Sequence, residues 1–337
     1  MKSQGTIIAF ILFFYFPAQI IVAQDKAKLL YFNAVNDSKS TINLKHLNFD
    51  SNASFSDYEF KKDVDFYGSK FNKKADFSHV LFKKQASFKR DTFSTYADFS
   101  DLQTGDSTEL IFDGAILPDT LDFSHNPKLT NNINLIHCNY KSPQHYDKIK
   151  DVYFKKHVIN LHATDLWKLK LEYKYFKFDL HGLSYDEKTT IYEGMLKNFK
   201  DHGQNESYEL LDIDFQQFKN PTFAWVGKLW WNFGYNKEYV FGWAVLFIMI
   251  FTIINFFLYN TLNERVYKFD NLPDVPKGKH QHRLWYSFVY TFSIFFQLKL
   301  KIDKINFRSK LGTAYLLFMY LLGLVCLAYM ANFVLGK

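Results

Sequence analysis

The sequence predicts a mainly β repeat solenoid followed by α-helices, two of them long enough to cross a bilayer. Three observations predict it. Phenylalanine recurs at alternating steps of five and six through much of the first half of the chain. The second half changes to steps of three and four, the spacing of a helix face. The chain then carries two long apolar runs near its end. Phe and Tyr are abundant, 38 and 22 of 337 residues. Their distribution says more than their number.

At the N-terminus, Lys2 is followed by "IIAFILFFYF", then Pro17 and "AQIIVAQDK". This is the layout of a secretory signal peptide over residues 1–23, with cleavage after Ala23. The apolar core is short for a spanning helix and Pro17 interrupts it, although a retained anchor helix is the alternative. The two cysteines are Cys138 and Cys326, and the second lies inside an apolar run, so no disulfide between them is expected.

The repeat comes next. In "ADFSHVLFKKQASFKRDTFSTYADF" the rings fall at Phe77, Phe82, Phe88, Phe93 and Phe99, and the ladder extends back through Phe71, Phe66, Phe60, Phe55, Phe49 and Leu44. Neither a helix nor a flat strand repeats in this way. The full period is 11, and Phe55, Phe66, Phe77, Phe88 and Phe99 share one phase. Two residues before each stands Ala53, Val64, Ala75, Ala86 or Ala97. Ser54, Asp65, Asp76, Ser87 and Asp98 lie between. Small apolar, polar, bulky apolar means two side chains in and one out, as on a strand. A short fixed period marks a solenoid whose units bury their apolar faces against their neighbours.

The ladder slips by two residues in "DLQTGDSTEL" and resumes at Phe112, Leu117, Phe123, Leu129, Leu135 and Tyr140. Cys138 falls two residues before Tyr140, at the small inward position, and reads as a buried structural thiol. A further block, "INLHATDLWKLKLEYKYF", keeps steps of five through Leu161, Leu166, Leu171 and Phe176, and extends or caps the same solenoid.

Over residues 42–178 this pattern resembles the pentapeptide-repeat proteins, in the Phe-rich variant that reads "F-x-x-A-x-F-x-x-x-A-x-F". The resemblance implies a right-handed quadrilateral β-helix spanning residues 24–180, with four faces and two full periods per coil. Phe55, Phe77 and Phe99 should then stack, with Phe66 over Phe88 on the opposite wall. The structural core ladder is Phe49, Phe55, Phe60, Phe66, Phe71, Phe77, Phe82, Phe88, Phe93, Phe99, Phe112 and Phe123.

Residues 184–222 read as a helical hairpin. Ile191, Met195 and Phe199 line one face and Gly203 suits the C-cap. Asn205 can cap the second helix, where Tyr208, Leu211, Phe215 and Phe218 recur at helical spacing before Pro221 ends it. Such a hairpin follows the β-helix in some membrane-bound relatives of the family it resembles, which implies an adaptor.

Residues 223–337 read as a membrane domain. Trp225, Trp230 and Trp231 supply an aromatic belt. Residues 239–259 and 311–335 are long enough to span, whereas residues 284–298 are too few and are either re-entrant or interfacial. Residues 260–310 carry ten Lys or Arg against four acids, which places this segment in the cytoplasm. The repeat domain is then outside, where a signal peptide would send it, on the periplasmic side of a bacterial inner membrane. The order of span, short apolar dip and span is similar to the pore module of two-helix potassium channels. The residues after the dip, "FFQLKLKIDK", contain no glycine, and Lys299 and Lys301 would repel cations. A degenerate relative is the expectation.

Little else suggests chemistry. His280 and His282 lie two apart, but in a basic loop suited to lipid headgroups rather than to a metal. Asn255 and Asn332 should hydrogen-bond between the two spans. Residues 24–142 hold 15 basic and 16 acidic side chains, a near-neutral balance that argues against nucleic acid and equally against a DNA mimic. No nucleophile–base pair, phosphate-cradling loop or carboxylate dyad has recognisable spacing, so no catalysis, cofactor or metal is expected. The functional expectation is a non-catalytic, membrane-anchored scaffold that presents a rigid rod to a protein partner. The alternative is a channel-like pore-forming or regulatory subunit. The lipid bilayer, an unidentified protein and a second copy of the chain are the expected partners.

Overall fold

The computed structural model describes residues 41–106, 108–140, 156–269, 272, 280–298, 301, 304–307 and 309–335. The expected signal peptide lies outside them. The chain divides into two compact units, Met1–Asp212 and Ile213–Lys337.

The first unit is a parallel β-solenoid of about 6 turns. Its strands are two to four residues long and line up in four separate parallel sheets, one for each wall of the coil. Ile42 pairs with Val64, and Val64 with Ala86, two full periods further on each time. Ala86 then pairs with Leu110, a step longer by two residues, so "DLQTGDSTEL" does bulge from the ladder. Thr120 pairs with Val158, a far longer step. The extra length of that coil includes residues 141–155, which lie outside the described set.

The phase rule holds in detail. Ala53, Val64, Ala75, Ala86 and Ala97 are buried, as is every phenylalanine of the ladder from Phe49 to Phe123. Successive coils lie one strand spacing apart, about 4.8 Å, so rings in register must stack. Phe55 and Phe77 stack at 5.0 Å between centroids, Phe77 and Phe99 at 5.1 Å, and Phe66 and Phe88 at 5.1 Å. The two columns also meet edge to face, with Phe66 and Phe77 at 5.5 Å and Phe77 and Phe88 at 5.2 Å. The axis is therefore a continuous herringbone of rings. Each ring contributes about 1.5–3 kcal/mol by burial, with about 0.5–1.5 kcal/mol more for each well-placed aromatic pair.

The outward residues have local work. The Asp76 Oδ1 accepts from the Ser78 backbone N–H at 3.2 Å, and Asp98 does the same for Ser100 and Asp122 for Ser124. These bonds fix the corner that follows. The residue two after the inward ring then takes positive φ, at Asp57, Gly68, His79, Arg90, Asp101, Gly114 and His125. Only two of these corner residues are glycine, the residue that adopts this region without strain.

One expectation fails in the last coils. Leu161, Leu171 and Phe176 are buried on the ladder, but Leu166 is not. It begins a 3₁₀ turn, Leu166–Lys168, and Leu169 takes the inward place. Leu166 instead meets helix α1, Tyr185–Asp201, where its Cδ1 would lie 2.5 Å from a Cβ added to Gly194.

Helix α1 opens with a capping box between Ser184 and Glu187. It closes with a Schellman pair, Gln204 N–H to Phe199 O at 2.8 Å and Gly203 N–H to Lys200 O at 3.2 Å. Ile191, Met195 and Phe199 are buried, as their spacing requires. Buried Asn198 donates from Nδ2 to the carbonyls of Leu166, Trp167 and Leu169 at 2.7, 3.2 and 3.1 Å. The Tyr173 N–H donates to Ser207 Oγ of helix α2, Asn205–Lys219, at 3.1 Å. The hairpin thus satisfies backbone groups that the last coil would leave open. The division between the two units falls within α2.

The second unit holds α3 (Ala224–Trp231), α4 (Tyr239–Arg265), α5 (His280–Phe295) and α6 (Lys310–Leu335). Helices α4 and α6 are long and apolar enough to cross a membrane. They are antiparallel, since Phe241 meets Phe333, Phe251 meets Phe318, and Asn255 bonds Tyr315.

Candidate functional site: a polar node between three helices

Asn255 lies on α4, buried completely. Its Oδ1 accepts from the Tyr315 hydroxyl of α6 at 2.9 Å, and its Nδ2 donates to Thr291 Oγ1 of α5 at 2.8 Å. The Thr291 hydroxyl in turn donates to the Ser287 carbonyl one turn back, at 2.8 Å. One amide therefore ties three helices. The expected bond between the two long apolar helices is present at Asn255. Asn332 is exposed and does not take part, because it lies near the end of α6, level with the contact of Phe241 with Phe333. Thr252 Oγ1 and Ser287 Oγ are buried without a partner, so the interior of this unit is more polar than two apolar helices would need.

The short apolar segment enters the helix pair and stops halfway. Helix α5 ends where Gln297 takes φ 59° and the Leu298 N–H reaches back to Ser293 O at 2.8 Å. The Phe295 carbonyl is pressed against Gly323, midway along α6, where an added Cβ would overlap that oxygen. The chain then returns to the end it came from. The Lys301 N–H donates to the Tyr267 hydroxyl at 2.9 Å and the Asn306 N–H to Val266 O at 2.9 Å, both just past the C-terminus of α4. Residues 280–295 are helical and end level with the middle of α6, and the chain is back beside Tyr267 by Lys301. Phase alone could not find the Gly323 contact, since a glycine in an apolar run gives no sign of what approaches it.

On the solenoid, several charged side chains pair along the walls. Lys74 Nζ lies 3.2 Å from Asp98 and 3.6 Å from Asp76, Lys83 Nζ 2.6 Å from Glu59, and Lys45 Nζ 2.9 Å from Asp65. Hydrogen bonds from Lys83 hold the Glu59 carboxyl below its ordinary range.

Cys138 is buried with its Sγ 3.4 Å from Phe112 O, and burial pushes the thiol up to about 12. Its inward place is the one its phase implies. The same column contains a residue that the sequence reading passed over. Leu47, Ser69, Asp91, Ala115 and Cys138 follow one another up one wall, and Asp91 is completely buried. It lies two residues before Phe93, so the inward rule that placed Cys138 would also have placed this acid.

His282 is exposed, and among the described residues no group of three or more His, Cys, Asp or Glu could hold a metal ion. No family model, curated protein or solved structure matches the chain.

Proposed function

We propose that the chain is a membrane-anchored scaffold of the pentapeptide-repeat type, in which the solenoid presents flat, stiff walls to a protein partner and catalyses nothing. The observation that carries this reading is the unbroken aromatic core. Stacked rings and parallel ladders fix the spacing of the outward residues at one strand width, as binding without induced fit requires. Near-neutral, internally paired walls favour a protein over nucleic acid as the partner. The basic residues between the two spans support an orientation with the solenoid outside, on the periplasmic face of a bacterial inner membrane.

Purification from detergent-solubilised membranes, using the full chain and a form lacking residues 41–178, tests the scaffold. A partner retained only by the full chain supports it, and identical retained sets overturn it. Reporter fusions after Phe99 and beside His280 test the orientation.

The half-depth end of α5 favours a second reading, a channel-like subunit with a degenerate filter. The glycine-free return through Lys301 opposes conduction. Current across planar bilayers containing the purified chain would decide for the channel.

A further inference from the structure

Helix α3 has two unlike faces. Ala224 is buried, Gly227 is packed so closely that a Cβ would lie 2.8 Å from the Phe233 ring, and Trp230 and Trp231 turn toward the long helices. Trp230 stacks with Trp243 of α4 at 6.3 Å, and Trp231 meets Tyr329 of α6 edge to face at 4.5 Å. The Trp243 Nε1–H donates to the Leu229 carbonyl at 2.9 Å. The helix is thus clamped at the level of the first turn or so of α4. Its other face is apolar and bare. Phe223 is 73 % exposed, Trp225 64 %, Leu229 53 % and Val226 42 %.

A bare apolar face can await protein, another copy or lipid, and position separates these. The stretch of α4 from Tyr239 to Tyr259 covers about 30 Å along a helix, the thickness of a bilayer's hydrocarbon. At the far end stands the exposed Trp285, beside the half-buried Tyr286, whose ring stacks on the buried Tyr259. Exposed tryptophan therefore stands at both ends of a stretch one hydrocarbon thickness long, Trp225 of α3 at one end and Trp285 at the other. The exposed Lys228 can reach past that level into the headgroups. Tyr239, Phe241 and Val245 of α4 are exposed apolar residues as well.

We infer that α3 is an interfacial helix whose Phe223, Trp225, Val226 and Leu229 insert into the headgroup–acyl boundary of one leaflet, so that its bound partner is lipid. The inference rests on the spanning of α4 and α6. Its role is to fix the height and tilt of the helix pair in the bilayer, as interfacial tryptophans do.

The test is nitroxide accessibility in the full chain, reconstituted in vesicles of phosphatidylcholine with a minor share of phosphatidylglycerol. Labels are placed at Val226→Cys or Leu229→Cys, with Ile253→Cys as the mid-span control. Collisions with oxygen at either α3 site should exceed those with a water-soluble nickel chelate several-fold, at a depth shallower than the control. If the control is lipid-exposed while both α3 labels meet nickel freely, α3 lies in water and the inference is overturned, although the spans stand. Shielding from both reagents would mean a protein cover and would also overturn it. A nickel-accessible control would remove the spanning reading, and this inference with it.

Discussion

Asp91 is buried on the inner wall of the solenoid, and its burial makes stability depend on pH. Its Oδ1 accepts from the Ser69 N–H at 2.9 Å, while Oδ2 has no partner. At the equivalent corner of another wall, Asn126 accepts from the Leu102 N–H through Oδ1 and donates from Nδ2 to the carbonyls of Phe99 and Phe123. An ionised aspartate can do only the first half of this task, and a protonated one can do both. Burial pushes the Asp91 carboxyl up to about 9, with the Asp65 charge adding to the rise and the Ser69 bond opposing it. A carboxyl raised in the folded state contributes stability that is fully present below the unfolded value of 3.8 and is lost progressively as pH climbs toward 9. At pH 7 the proton must be held about three units above its unfolded value, which at about 1.4 kcal/mol per unit comes to about 4 kcal/mol.

Asp91→Asn keeps the shape, supplies the donor and removes this cost. It should stabilise the solenoid by about 2–4 kcal/mol at pH 7, more at pH 8.5 and negligibly at pH 4. Pulse proteolysis of the full chain in detergent across a urea series, at each pH, reads the difference. Equal midpoints for the two proteins at every pH, or a gap that narrows as pH rises, would mean that Asp91 is not held protonated by its burial.

Other expectations follow from the same geometry. Phe77→Ala removes a ring stacked on both sides and should cost about 3–5 kcal/mol in the same urea assay. Ala163 sits at φ 53°, so Ala163→Gly should raise stability by about 0.5–1 kcal/mol through relief of left-handed strain. Gly323→Ala drives a methyl into the Phe295 carbonyl. It should cost about 1–3 kcal/mol, seen as faster thermal loss of monodispersity in detergent. Asn255→Leu leaves Tyr315 and Thr291 without their shared partner and should cost about 1 kcal/mol by the same measurement. Asn332→Leu should change nothing.

The solenoid was legible because its driving force is periodic. Each ring must face inward once per wall, and a slip of one residue would turn it to water, so Phe55, Phe66 and Phe77 announce their own geometry. The hidden parts lack a period. Leu166 leaves the ladder because a helix from outside the repeat gives it a better site at Gly194. Asp91 obeys the inward rule but contradicts the habit of reading acids as exposed. The positive-φ corners are occupied by Asp, His and Arg more often than by glycine, so composition does not mark them. In the helical unit, the two long apolar helices were legible from length, whereas the end of α5 midway along α6 depends on one close approach at Gly323.

Coils stack in register every second period of the sequence. Ser54 and Asp76 are direct partners on one wall, at a separation a disulfide can bridge, whereas Ser54 and Asp65 lie in different sheets. With both native cysteines replaced by alanine, Ser54→Cys with Asp76→Cys should form an intramolecular disulfide under mild oxidation, and Ser54→Cys with Asp65→Cys should not. A bond in the second pair, or in neither, would contradict the stacked coil.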